Sequence, residues 1–221
     1  MLHRELGEAR LVGHDGNLQA PHGRHPLRVF REPPGGTVGP VSDFLTDIET
    51  LRARARERIE EGPITSSYGA DRERVISVLN EALATEIVCV LRYKRHYFMA
   101  DGINAGPVAD EFLQHANEEL DHADRIALRI TQLQGEPNFS PVGIADRSHA
   151  EYVEGDSLVD MIKEDLVAER IAIESYSEIA RWLGEKDSTT RRLMEDILAM
   201  EEEHADDLLN LLADLEPKPF G

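Results

Sequence analysis

Two short runs of the sequence place a carboxylate and an imidazole three residues apart. The runs are Glu119 to His122 and Glu201 to His204. Residues i and i+3 lie on the same face of an α-helix, so the two side chains of each run can reach one metal ion together. Each run is therefore a candidate half of a metal site.

A further glutamate precedes each run at a matching distance. Glu86 lies 33 residues before Glu119, and Glu169 lies 32 residues before Glu201. The chain thus carries one pattern twice, a helix with Glu followed by a helix with Glu-x-x-His. This is the ligand pattern of di-iron and di-manganese carboxylate four-helix bundles. The candidate metal ligands, which are also the candidate catalytic residues, are Glu86, Glu119, His122, Glu169, Glu201 and His204.

Four carboxylates and two imidazoles without a thiolate favour a dinuclear iron or manganese site over a structural zinc site. The four negative charges neutralise two Fe(II) ions and stabilise the charge that is gained on oxidation. Two adjacent irons can give two electrons at once to O2 or H2O2. The repeat favours Glu119 and Glu201 as bridging ligands and Glu86 and Glu169 as terminal ligands, while other divisions of the four carboxylates stay open.

Four amphipathic stretches must position these residues. Apolar residues recur at helical spacing in each stretch, and the candidate ligands fall inside the apolar stripes, near the middle. A carboxylate there is costly unless it is paired or bound to a metal. The predicted helices span residues 71–99, 107–134, 157–184 and 188–215. Short turns join each pair and residues 136–155 cross between the pairs, which predicts an all-α antiparallel four-helix bundle with one long crossover.

The first 70 residues predict an extension outside the bundle. Residues 1–40 lack periodicity and contain many Gly and Pro residues, which predicts an irregular tail. Residues 42–61 predict one amphipathic helix that Ser42 caps and that Gly62 ends. The predicted domains are the extension over 1–70, the bundle over 71–215 and a short C-terminal tail over 216–221.

Composition limits the class of protein. The net charge of −19, from 43 acidic and 24 basic residues, disfavours nucleic acid and anionic membranes as partners. No apolar run approaches the ~20 residues of a membrane span, and no secretory signal is visible. The single cysteine, Cys89, excludes an internal disulfide and fits a reducing compartment. We therefore expect a cytoplasmic protein without a nucleic-acid or membrane partner.

Several segments of the chain resemble bacterioferritin. These segments are Leu79 to Tyr93, Glu119 to Arg125, Gly135 to Asn138, Asp165 to Glu169 and Met200 to His204. The resemblance covers roughly residues 71–215. It implies a ferritin-like bundle with a ferroxidase centre at the six candidate ligands.

Three departures from that family bear on haem and on assembly. Leu120 stands where bacterioferritins carry a haem-ligating Met, so no haem is expected. The crossover is longer, and Pro217 and Pro219 leave no room for a fifth helix. The last two features are similar to Dps-like mini-ferritins that have a bacterioferritin-type centre. They favour a closed homo-oligomer, with a dodecamer preferred over a 24-subunit shell.

The first functional hypothesis is a ferroxidase and iron-storage protein that oxidises Fe(II) with O2 or H2O2. The alternative is a di-iron or di-manganese peroxidase or catalase on the same bundle. The charge disfavours a third hypothesis, a DNA-protecting scaffold. We interpret Glu118 and His115 as surface or structural residues and Tyr176 as a packing residue. Tyr93 fits either core packing or a redox-active neighbour of the site.

Overall fold

The computed structural model describes residues 46–215. These residues form six α-helices and one short 3-10 helix and contain no strand, which confirms the all-α prediction. The helices are α1 (Ile48–Arg54), α2 (Arg72–Met99), α3 (Ala105–Gln132), α4 (Ile144–Arg147), α5 (Leu158–Leu183) and α6 (Ser188–Leu215). The tails predicted over 1–40 and 216–221 lie outside the described residues.

The four long helices α2, α3, α5 and α6 form an antiparallel bundle. Arg72 at the start of α2 donates to the side chain of Gln134, just beyond α3, at 3.3 Å. Lys94 near the end of α2 donates to Asn117 at 3.2 Å, so the two helices run in opposite directions. The short connections within the two helix pairs impose the same arrangement on α5 and α6. The predicted four-helix bundle is therefore confirmed.

Polar side chains cap three of the four long helices, α2, α5 and α6, where they begin. The carboxylate of Asp71 accepts the backbone N–H of Arg74 at 3.2 Å, and the hydroxyl of Ser157 accepts that of Asp160 at 3.1 Å. Asp187 accepts a backbone N–H from the first turn of α6 at 2.9 Å. These bonds satisfy donors that have no partner within their own helix, and so they set the ends of the bundle helices.

The long crossover runs along α2. The backbone N–H of His149 donates to the hydroxyl of Thr85 at 2.9 Å. Further along, the guanidinium of Arg92 donates to the carbonyl of Glu151 at 2.8 Å. These bonds tie the crossover to α2 while it carries the chain from the end of α3 to the start of α5.

Two apolar clusters form the core, and the candidate ligands lie between them along each long helix. The first cluster includes the fully buried Leu79, Leu83, Ile126, Ile130 and Met194. The second includes the fully buried Phe112, Ile162 and Leu208. Burial of this apolar surface stabilises the bundle and keeps bulk water away from the polar layer between the clusters.

The helix predicted over 42–61 is wrong in its extent. Residues 42–45 lie outside the described part, α1 is capped by Asp47 and ends at Arg54, and only a 3-10 turn over Ile59–Glu61 follows. Arg58 has a φ of 45°, in the left-handed region that an α-helix does not contain. Arginines spaced four apart in this run also repel one another, which weakens a longer helix.

The end of the extension packs on the bundle. Ile64 is buried against the first apolar cluster. The hydroxyl of Tyr68 donates to Asp187 at 2.8 Å, and Arg129 binds the same carboxylate at 3.0 Å. These contacts fix residues 64–71 at one end of the bundle, whereas α1 buries none of its own residues.

Candidate metal centre

The six candidate ligands meet in the middle of the bundle. Each exposes 2% or less of its surface. They are Glu86 on α2, Glu119 and His122 on α3, Glu169 on α5, and Glu201 and His204 on α6. The i, i+3 spacing turns the two members of each Glu-x-x-His run to the same face, and the four helices bring those faces together.

The first half of the centre is built around His122. Its Nδ1 lies 3.1 Å from Glu201 Oε1, 3.4 Å from Glu86 Oε2 and 3.7 Å from Glu119 Oε2. One imidazole nitrogen thus faces oxygens from three different helices. We call this group the first half.

The second half is built around His204. Its Nδ1 lies 3.3 Å from Glu201 Oε2, 3.4 Å from Glu119 Oε1 and 3.9 Å from Glu169 Oε2. Glu119 and Glu201 therefore present one oxygen to each half, whereas Glu86 faces only the first half and Glu169 only the second. The division into bridging and terminal ligands that the repeat favours stays a prediction.

The donor set fits a pair of cations. Six buried atoms of the candidate ligands find no hydrogen-bond partner within residues 46–215. They are Glu86 Oε2, Glu119 Oε1, His122 Nδ1, both oxygens of Glu201, and His204 Nδ1. Buried polar atoms without partners are costly, and carboxylates that face one another also repel. Two cations among these atoms would relieve both costs.

Burial and mutual repulsion shift the proton affinities of the centre. Burial raises the pKa of Glu86 well above its usual range, and the charge of Glu119 adds to this shift. Burial also raises the pKa of Glu201 to about 7. Burial lowers the pKa of His122, but the surrounding carboxylates outweigh it and raise this pKa to about 12, and His204 shifts in the same direction. The centre thus binds protons tightly, and metal ions would compete for the same lone pairs.

Two buried tyrosines hold the terminal carboxylates. The hydroxyl of Tyr176 donates to Glu86 Oε1, and that of Tyr93 donates to Glu169 Oε1. Burial opposes ionisation of Glu169, but His204 and Tyr93 outweigh it and lower its pKa to about 2. Each tyrosine follows a terminal Glu by seven residues in sequence and serves the Glu of the opposite helix pair. The interpretation of Tyr176 as a packing residue missed this contact, which the seven-residue spacing repeated with Tyr93 could have signalled.

A second group of polar residues lies behind His204 alone. Its Nε2 lies 3.0 Å from Glu118 Oε2, and its ring stacks on that of His115 with centroids 4.1 Å apart. Burial lowers the pKa of His115 to about 3, and the charge of His204 adds to this shift. The positions of α6 that correspond to these two partners hold Ile197 and Met200. Sequence reasoning missed this group because Glu118 and His204 are 86 residues apart and meet only in the fold.

Comparison with known proteins defines the class. A family model of the ferritin-like domain matches residues 76–217. The bacterioferritin of Brucella melitensis is 31% identical over 156 residues, which cover 67% of this chain and 90% of that relative. The chain therefore belongs to the ferritin-like family, and bacterioferritins are among its relatives.

Solved structures agree with this assignment. The chain is similar to the dodecameric thioferritin of Bacteroides fragilis, a bacterioferritin-related protein, at 34% identity and a TM-score of 0.64. That match covers 66% of this chain and 89% of the other. The bacterioferritin of Desulfovibrio desulfuricans, solved with its diiron site in different catalytic states, is 29% identical with a TM-score of 0.57. That match covers 64% of this chain and 80% of the other.

Within residues 46–215, no helix is both long and apolar enough to cross a bilayer.

Proposed function

We propose that the chain binds two iron ions in this centre, oxidises Fe(II) with O2 or H2O2 and stores the product. The proposal rests on six buried nitrogen and oxygen atoms that have no hydrogen-bond partner within the described residues. Two imidazoles and three carboxylates direct these atoms into one buried layer. Bacterioferritin relatives and the diiron site named for the Desulfovibrio desulfuricans structure support iron as the metal. Manganese, which the same donor set accepts, remains the alternative metal.

The positions of the carboxylates support a division of roles. Glu119 and Glu201 would bridge the two ions, because each presents one oxygen to either half. Glu86 and Glu169 would be terminal ligands, each held by the hydroxyl of one tyrosine. His122 and His204 would supply one nitrogen to each ion.

The bound pair of irons would supply two electrons at once to an oxidant. The task of the protein is to hold the ligands in place, and the apolar clusters on either side of the layer exclude bulk water. The four carboxylates offset the positive charge that increases when Fe(II) becomes Fe(III). Tyr93 and Tyr176 orient the terminal carboxylates and thereby keep the geometry ready before the metal arrives.

Storage requires an enclosed cavity, so the proposal includes a homo-oligomer, and we favour a dodecamer. The dodecameric thioferritin of Bacteroides fragilis supports this choice. In the single chain, Leu91, Leu120 and Leu128 on α2 and α3 are 52%, 44% and 59% exposed, as surfaces that another subunit covers would be. The prediction that position 120 holds no haem stays a prediction, as do the domain limits 1–70, 71–215 and 216–221.

Stopped-flow oxidation of Fe(II) by the metal-free full-length protein tests the proposal. We expect a fast phase of two Fe(II) per chain with O2 or H2O2, and loss of that phase in His122→Ala, which removes the nitrogen of the first half. His149→Ala is the matched control, because His149 lies on the crossover outside the centre. Equal fast phases in the two variants would contradict the site. Peroxide breakdown without an iron core in electron micrographs would instead favour the peroxidase or catalase hypothesis.

A further inference from the structure

The polar group behind the second half contains an imidazole nitrogen that has no partner. His115 is fully buried, and its Nε2 forms no hydrogen bond within the described chain. Two carboxylate oxygens lie within 4.0 Å of it, Glu111 Oε1 at 3.1 Å and Asp207 Oδ2 at 3.9 Å. A buried nitrogen is thus directed at two carboxylates that come from different helices.

The hydrogen bonds around Tyr93 fix the tautomer of His115. Tyr93 has one hydroxyl proton, and it donates this proton to Glu169. At His115 Nδ1, 3.3 Å away, the tyrosine oxygen can therefore only accept, so Nδ1 carries the ring proton. In the neutral ring the other nitrogen, Nε2, then presents a lone pair to the lone pairs of Glu111 and Asp207. Either a proton on Nε2 or a cation between the three groups would offset this contact, and a cation would use all three donors.

We infer that Glu111, His115 and Asp207 form a third, mononuclear site for a divalent transition-metal cation. Zinc bonds to nitrogen and oxygen are about 2.0–2.2 Å long, so two donors to one ion lie at most ~4.4 Å apart. The two distances from His115 Nε2 satisfy this limit, and the three ligand atoms all lie within 4.8 Å of one another. One imidazole and two carboxylates suit Fe(II), Co(II) and Zn(II) and leave coordination positions for water.

The surroundings of this third site provide access from solvent and a link to the dinuclear centre. The side chains of Glu111 and Asp207 are 27% and 42% exposed, so an ion can enter from the surface. On the buried side, the ring of His115 stacks on His204, and its Nδ1 reaches Glu169 through Tyr93. The ring of His115 therefore separates the third site from His204 of the second half. Its existence does not depend on the ferroxidase proposal, because binding a cation requires no oxidation.

Equilibrium dialysis of the metal-free full-length protein against Co(II) tests the third site. The test variant is the double substitution Glu111→Gln and Asp207→Asn. The matched control is Asp110→Asn and Asp206→Asn, which removes the same charge from exposed neighbours on the same two helices. We expect three bound Co(II) per chain in the wild type and in the control, and two in the test variant. His115→Phe, which keeps a ring against His204, should also lose one ion.

Equal numbers of bound Co(II) in the test variant and the control would overturn the third site. This difference remains readable if the dinuclear centre fails, because such a failure lowers both counts alike. Anomalous diffraction at the cobalt edge gives the position of the ion. We expect a peak between His115 Nε2 and the two carboxylates, and a peak found only between Glu118 and His204 would also overturn the assignment.

Discussion

The two halves of the candidate centre have matching ligands but different surroundings. In each half one imidazole nitrogen faces three carboxylates, and a tyrosine holds the terminal one. Behind the second half lie the stacked His115 and the partly exposed Glu118. At the corresponding positions behind the first half, Ile197 is fully buried in the apolar core and Met200 carries no charge.

The internal repeat thus places the same ligands in both halves but different side chains behind them. Both halves need the same donors, because each is expected to hold the same kind of ion. The surroundings carry no such requirement, and outer partners tune how firmly a ligand is oriented and how readily an ion exchanges. We therefore expect the two ions to differ in how readily they exchange. The second half is the one that connects to the protein surface, through Glu118 and the third site.

Removal of a shared carboxylate should affect both halves and give the largest effect. Glu201 presents an oxygen to each imidazole, so Glu201→Ala should slow the fast oxidation of Fe(II) by more than the ~100-fold that loss of an outer partner can cost. Stopped-flow kinetics measure this rate. Glu202→Ala, at an exposed neighbour, is the control. A loss limited to one of the two ions would show that Glu201 serves one half only.

The stability of the metal-free protein should fall as the pH rises. The pKa of His122 rises from 6.5 to about 12 on folding, and that of Glu201 from 4.5 to about 7. Groups with raised pKa values stabilise the fold fully below their unfolded values and lose this contribution as the pH rises through the folded values. Each such proton changes the free energy of unfolding by about 1.4 kcal/mol per pH unit within its window. The melting temperature should therefore be several degrees lower at pH 9 than at pH 6.

Melting curves of two further samples show how each half contributes to the dependence of the melting temperature on pH. Zn(II)-loaded protein should show little slope, because metal replaces the protons. His122→Phe should retain about half of the slope above pH 7, because the pKa of His204 is raised as well. A melting temperature that rises from pH 6 to pH 9 in the metal-free wild type would contradict the proton count.

The outer partner of the second half should give the smallest effect. Glu118→Ala removes the carboxylate that lies 3.0 Å from His204 Nε2 and should raise the Fe(II) concentration for half-maximal fast oxidation by about tenfold. The maximal rate should change little, since all six ligands remain. Asp121→Ala is the control, because it removes a charge from an exposed position on the same helix. The same increase in both variants would mean that surface charge, and not the contact with His204, sets the affinity.

Local patterns in the sequence were sufficient to predict the bundle, because each long helix carries its own apolar stripe and its own end signals. The same reasoning failed over residues 46–61, where the described chain offers no core for the apolar pattern to face. Ile48, Leu51 and Ile59 are 58%, 46% and 78% exposed, and the chain turns at Arg58. A stripe predicts a helix only where tertiary packing supports it, and a short helix without such packing is marginal.

The sequence by itself determined the six candidate ligands and the fold that gathers them, because helical spacing places Glu and His on one face and a carboxylate inside an apolar stripe signals a buried partner. Only the tertiary structure decided which carboxylates span both halves, which glutamate each tyrosine holds, and that His115 and Glu118 stand behind the second half alone. These relations join residues on different helices, and their distances depend on how the helices pack. The spacing of residues along one helix carries no record of that packing.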